Sequence, residues 1–132
     1  MHTVFVYGTL KRGFRLHDHM EGARFLAEGV LHGHRMHKIT WYPAICADPE
    51  YRVYGELFEV DDAILEVLDE VEDRGILYER HLKTVDVLSL NHSGSIEMSE
   101  GSGPISEQIQ AFVYIYMHPL EDGLIASGRF EK

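Results

Sequence analysis

The sequence predicts a small α+β domain built on a curved or barrel-like sheet. Three observations carry that expectation. Many short β-branched and aromatic runs recur along the 132 residues, only one stretch has clear helical periodicity, and glycines interrupt the longest strand-like run. The length suits one domain with one core, over residues 1–132.

The elements follow in order. Residues 3–7, TVFVY, are apolar after Thr3 and read as a strand buried on both faces. Gly8 and Gly13 bracket a loop. LHDHME at 16–21 reads as a short helix of about two turns. RFLAEGVLHGHRM is strand-like, and Gly29 and Gly33 inside it suggest bulges or bends. WYPAICA turns into another short strand, since Pro43 keeps Tyr42 extended. VYGELFEV at 53–60 is a strand, and Asp61 or Asp62 then caps a helix running to about residue 72. YERHLKTVDVL at 78–88 and IQAFVYIYM at 109–117 are strands. Between them, the Ser-, Gly- and Glu-rich residues 89–108 read as the longest loop, exposed and mobile. A Pro turn opens the tail.

The formal net charge of −10 would repel a polyanion, so nucleic acid is not an expected partner. Neither is a membrane: no apolar run approaches the roughly 20 residues a spanning helix needs, and MHTVFVYGTL has no leader-like character. One cysteine, Cys46, excludes an intrachain disulfide. It reads as a buried structural thiol, and a reducing cytoplasm is the expected location. Nine histidines raise a metal site, but there is no HExxH and no zinc-finger spacing, so no metal and no cofactor is expected. His32 and His34 would share a strand face. Lys11, Arg12 and Arg15 form either a solvated turn or a local attraction for an anionic substrate. No coiled-coil pattern or long amphipathic seam forces assembly, so a monomer or weak homodimer is expected.

The helix DDAILEVLDEVED is the most informative stretch. With Ile64 at zero and about 100° per residue, Val67, Leu68 and Val71 fall within about 60° and Leu65 at about 100°. Asp62, Glu66, Asp69, Glu70 and Asp73 form the opposite, solvated face. Glu72 stands apart, near 80°, among the apolar positions. Burial and the negative end of the helix dipole would both raise its pKa. A carboxyl group poised that way suits general acid–base work. Either Glu72 points inward so, or the helix frays at 71 and it points to water. Tyr114 and Tyr116 share one strand face with Phe112, as core packing or as the wall of a small pocket.

VFVYGTLKRG at 4–13, VYGELFEV at 53–60, LDEVEDRGILYER at 68–80 and FVYIY at 112–116 together resemble the γ-glutamylcyclotransferase-like family, whose members include γ-glutamylamine cyclotransferases. SGRF at 127–130 resembles the ending of some bacterial members. The resemblance covers nearly the whole chain, and the combined spacing carries it rather than YGTL alone. It implies a small mixed β-barrel with flanking helices, and a cavity where the YGTL loop meets the acidic helix end. It implies substrate binding by Tyr7, Gly8, Thr9 and Leu10, largely through backbone groups, and a catalytic role for Glu72. Thr9 stands where the family often has Ser, and Val71 where it often has Phe. Tyr116 is a further candidate, closing the cavity with its hydroxyl.

The implied reaction is intramolecular, producing 5-oxoproline and a free amine from a small γ-glutamyl substrate without metal or cofactor. The alternatives are a non-catalytic binding module of the same fold and a scaffold whose surface matters more than its cavity.

Overall fold

The computed structural model describes residues 1–88 and 107–131. The long loop expected at 89–108 falls almost wholly outside them. Among these residues are six strands: β1 (His2–Val6), β2 (Arg24–Lys38), β3 (Pro43–Val60), β4 (Tyr78–Val87), β5 (Gln108–Tyr116) and β6 (Leu124–Ile125). The α-helix α1 (Asp62–Val71) lies between β3 and β4.

The order β3-β1-β5-β4-β2, with β2 pairing again to β3, closes a five-stranded mixed barrel. β1 runs parallel to β5 and antiparallel to β3, and the remaining contacts of the ring are antiparallel. β6 adds to the far end of β2. Closure pairs both edges of every ring strand, which removes the exposed ladders an open sheet would leave.

β1 shows why its sequence is apolar on both faces. Val4 and Val6 join the core under α1, with Leu65, Leu68, Phe58 and Val60. Phe5 and Tyr7 join the second core, with Leu57, Val85 and Val113.

Two sequence expectations change in β2 and β3. The strand at 53–60 and the run at 43–47 are one strand of 18 residues, forming a long hairpin with β2. Its middle, around Asp48 to Arg52, is polar because it lies where the hairpin arm is largely exposed. Of the two glycines expected to mark bulges, Gly33 does so, at φ +78° between the paired residues His32 and His34. Four residues of β3, Asp48 to Tyr51, stand opposite Gly33 alone, and this break in register leaves His32 exposed and His34 buried, so the two do not share a face. The other irregularity is at Leu26, between Phe25 and Ala27. Gly29 keeps its register opposite Gly55 and serves close packing instead. A Cβ there would lie 2.8 Å from Val85 Cγ1, where β2 passes from β3 to β4.

The expected helix at 16–21 is a single 3-10 turn, His17–Met20. Leu16 at its start offers no side-chain cap, and Gly22 at φ +93° turns the chain away.

α1 starts where Asp61, in extended conformation, accepts the Ile64 N–H at 2.8 Å. Such a cap is worth about 1 kcal/mol. Leu65 and Leu68 are the buried residues, each contributing about 2 kcal/mol by burial. Val67, placed in the apolar arc by the wheel, is instead 38% exposed. The buried direction is centred on Leu65 and Leu68, and Glu72 shares that direction.

Candidate active site

The helix ends by a Schellman motif, and this end presents Glu72. Asp73 N–H donates to Glu70 O at 3.1 Å and Arg74 N–H to Asp69 O at 2.9 Å. Asp73 takes the left-handed position at φ +53°, where glycine is usual. The hydrophobic contact that commonly locks this motif is replaced by an ion pair between Arg74 Nη1 and Asp69 Oδ2, 3.2 Å apart. Glu72 is therefore the C-cap residue, with its N–H held by Leu68 O. The fraying alternative does not occur.

Asp69, expected on the solvated face, is half-buried and bonded. It accepts the Tyr114 hydroxyl at 2.7 Å and lies 3.5 Å from Arg80 Nη1. Arg80 in turn lies over the Phe112 ring. The network ties the end of α1 to β4 and β5.

On the other side, β1 runs out at Val6 into the turn Tyr7-Gly8-Thr9-Leu10. Its carbonyls are occupied: Gly8 O by Lys11 N–H, Thr9 O by Leu16 N–H, and Leu10 O by the His17 ring at 2.9 Å. The N–H groups of Gly8, Thr9 and Leu10 have no acceptor among the described residues. Gly8 is required by contact rather than by φ, since a Cβ would collide with the Pro43 ring.

These pieces enclose one cavity of about 230 Å³. Tyr7, Gly8, Thr9 and Leu10 line one side, and Glu72 lines the other. Burial pushes the Glu72 carboxyl up to about 7. The phenol of Tyr7 donates to Tyr114 O at 2.6 Å, and that of Tyr78 to Pro43 O at 2.7 Å. Burial raises the pKa of both, and the nearby Glu72 charge adds to the effect.

Of the catalytic and substrate-binding candidates named from the sequence (Glu72, Tyr7, Gly8, Thr9, Leu10 and Tyr116), Tyr116 alone does not line the cavity. It sits directly across from Tyr78 in the β4–β5 register and packs edge-on against it, with ring centroids 5.3 Å apart. Tyr78 takes the wall position instead. Sequence reasoning missed Tyr78, Trp41 and Tyr42, which also line the cavity. The WYP turn was visible, but nothing local ties it to Glu72.

The cationic cluster divides. Lys11 Nζ donates to Phe130 O, and Arg12 binds Glu56 through its backbone N–H and its Nε. Arg15 stacks over the Trp41 ring at 4.3 Å, beside the cavity. Cys46 is half-buried rather than buried. Among the described residues, no group of three His, Cys, Asp or Glu is placed to hold a metal ion, and no helix is long and apolar enough to cross a membrane.

Comparison with known proteins agrees with the geometry. The sequence pattern of the family described as Gamma-glutamyl cyclotransferase, AIG2-like matches residues 4–132. A gamma-glutamylaminecyclotransferase of Mus musculus is 36% identical over 124 residues, spanning 84% of this chain and 75% of that one. A family protein of Citrobacter rodentium, named Gamma-glutamylcyclotransferase family protein ytfP, is 28% identical over 128 residues and spans 96% and 93%. The crystal structure of an AIG2-like protein from Mus musculus superposes with a TM-score of 0.69 at 30% identity, covering 87% of this chain and 76% of that one. With the barrel, the cavity and the family pattern in agreement, the chain belongs to the AIG2-like γ-glutamyl cyclotransferase family.

Proposed function

We propose that the protein converts a small γ-glutamyl amine or γ-glutamyl amino acid to 5-oxoproline and the free amine, with Glu72 as general base and then general acid. The observation that carries this reading is Glu72, a half-buried carboxyl with a pKa near neutrality, lining the same cavity as the turn at Gly8 to Leu10. The family membership supports the reaction class.

The α-amino nitrogen of the substrate attacks its own γ-carbonyl carbon, and the bond from that carbon to the leaving nitrogen breaks. The ring formed has five members, so attacker and target are already tethered, and holding the reactive conformer lowers the barrier by several kcal/mol, on the order of 5. The substrate ammonium carries three protons and the product lactam nitrogen one. One of the two protons released reaches the leaving nitrogen through Glu72, and the other goes to solvent. A carboxyl near pH 7 is matched to both halves of that transfer. The developing oxyanion needs fixed donors. The N–H groups of Gly8, Thr9 and Leu10, with no acceptor among the described residues, suit that task.

The test is incubation with γ-glutamyl amides and γ-glutamyl amino acids and measurement of 5-oxoproline. Glu72→Gln should lower kcat at least 100-fold, since it removes the only acid–base group assigned to the reaction. Activity that survives this change would refute the assignment. Binding of 5-oxoproline without turnover across the panel would favour a non-catalytic module.

A further inference from the structure

A second hollow of about 420 Å³ adjoins the first and shares Thr9 and Trp41 with it. Its wall adds Phe14, Arg15, Lys38, Phe130 and Glu131. Arg15 and Lys38 make no ion pair with a carboxylate among the described residues, whereas Arg12, Arg24, Arg35, Arg74 and Arg80 each do. Among the described residues, two cations against the single carboxylate of Glu131 make the lining of this hollow locally positive in a chain whose formal charge is −10. Both cations stand on fixed supports. Arg15 is stacked on Trp41. Lys38 ends β2, paired with Pro43 and with its N–H held by Gly123 O at 2.8 Å.

We propose that this outer hollow is the leaving-group subsite, and that Arg15 and Lys38 select substrates whose departing amine bears a carboxylate. The inference rests on the cyclotransferase reading of the inner cavity. A γ-glutamyl unit held there between Glu72 and the turn must send its leaving nitrogen outward. Thr9 and Trp41 line both spaces, so the outer hollow is the neighbouring space on that side. A carboxylate on the departing amine then meets the guanidinium and the ammonium, while its carbon skeleton lies against the Trp41 and Phe130 rings. A plain alkylamine gains only the ring contacts.

The experiment uses γ-glutamyl-L-alanine and γ-glutamylethylamide, which differ by one carboxylate. The wild-type kcat/KM for 5-oxoproline release should favour the alanine compound about tenfold, in line with a partly exposed charge-assisted contact. The preference should shrink as salt is raised. In the double variant Arg15→Gln, Lys38→Gln the ratio should fall to about one, and because it is a ratio, partial loss of folded protein does not affect it. A wild-type ratio near one, or an unchanged ratio in the variant, would overturn the proposal. A second measurement is independent of turnover. Trp41 is the only tryptophan, so its fluorescence in the Glu72→Gln protein reports binding of each compound, with the alanine compound again about tenfold tighter. Tighter binding of the alanine compound with no 5-oxoproline formed from either would refute the cyclotransferase reading and leave the subsite standing. Turnover of both with equal efficiency would do the reverse.

Discussion

Replacing Glu72 by Gln should change the pH dependence of folding stability in a defined window. Burial lifts this carboxyl from 4.5 to about 7 in the folded chain. A folded-state pKa above the unfolded value means that the folded protein holds the proton more tightly. The associated stability is fully present below about pH 4.5, and is lost as pH rises through about 7. At about 1.4 kcal/mol per pH unit, that gap corresponds to about 3 kcal/mol. Gln has no proton to lose, so the two proteins should be nearly equal at pH 4.5. The variant should become progressively more stable, by about 3 kcal/mol at pH 8, or about 10 °C in Tm for a chain of this size. Urea unfolding of both proteins at several pH values between 4 and 8.5 measures this, because every other titrating group cancels in the difference. A difference that stays flat with pH would refute the reasoning. It would mean that water reaches the carboxylate well enough to keep its ordinary pKa, and the case for Glu72 as a base poised near neutrality would fall with it.

Three other changes probe the frame around the cavity. Asp73→Gly relieves a non-glycine residue at φ +53° in the Schellman position and should stabilise the fold by about 0.5–1 kcal/mol, read from the urea midpoint. Gly8→Ala sets a Cβ against the Pro43 ring and should cost about 2 kcal/mol while raising KM, because relief of the clash displaces the Tyr7–Leu10 turn. Asp69→Ala removes the acceptor of the Tyr114 hydroxyl and the one ion-pair partner of Arg80 among the described residues, whose side chain is only 14% exposed. Its expected cost is about 3 kcal/mol in thermal or chemical unfolding, against about 1 kcal/mol for Tyr114→Phe, which removes the hydrogen bond alone.

What could be read from the sequence was whatever depends on neighbours along the chain. The Asp61 cap, the inward angle of Glu72 and the doubly buried β1 are all consequences of local period and residue type. The wheel placed Glu72 correctly, although Val67 turned out exposed, because the buried direction was set by Leu65 and Leu68 against β1 and β3 rather than by the mean of all apolar positions. Features that depend on pairing across the barrel were not legible. The register break at Gly33, where the extra residues belong to β3, separates His32 from His34, which a strict two-residue period puts together. The exchange of Tyr116 for Tyr78 at the cavity wall follows from their being cross-strand partners, a fact of register that neither strand records by itself. Trp41 and Tyr42 reach the cavity because the β2–β3 hairpin brings its turn back beside Gly8, a contact made through Pro43.

The cavity's hydrogen bonds restrict which groups can move a proton. Three phenols surround Glu72, and each spends its hydrogen on a fixed acceptor: Tyr7 on Tyr114 O, Tyr78 on Pro43 O and Tyr114 on Asp69. Burial raises the pKa of all three, so none yields a proton near neutral pH. The Glu72 carboxyl makes no hydrogen bond to a described residue, and burial alone brings its pKa to about 7. The same apolar walls thus have opposite effects on the two kinds of group. They move the phenols away from neutrality and the carboxyl towards it. Tyr42 completes the set. Its hydroxyl has no partner among the described residues, and its pKa is raised by burial, by Tyr116 and by Glu72. It is the phenol left free to donate to a ligand without first breaking an internal bond, while Glu72 is the group left free to exchange a proton with one.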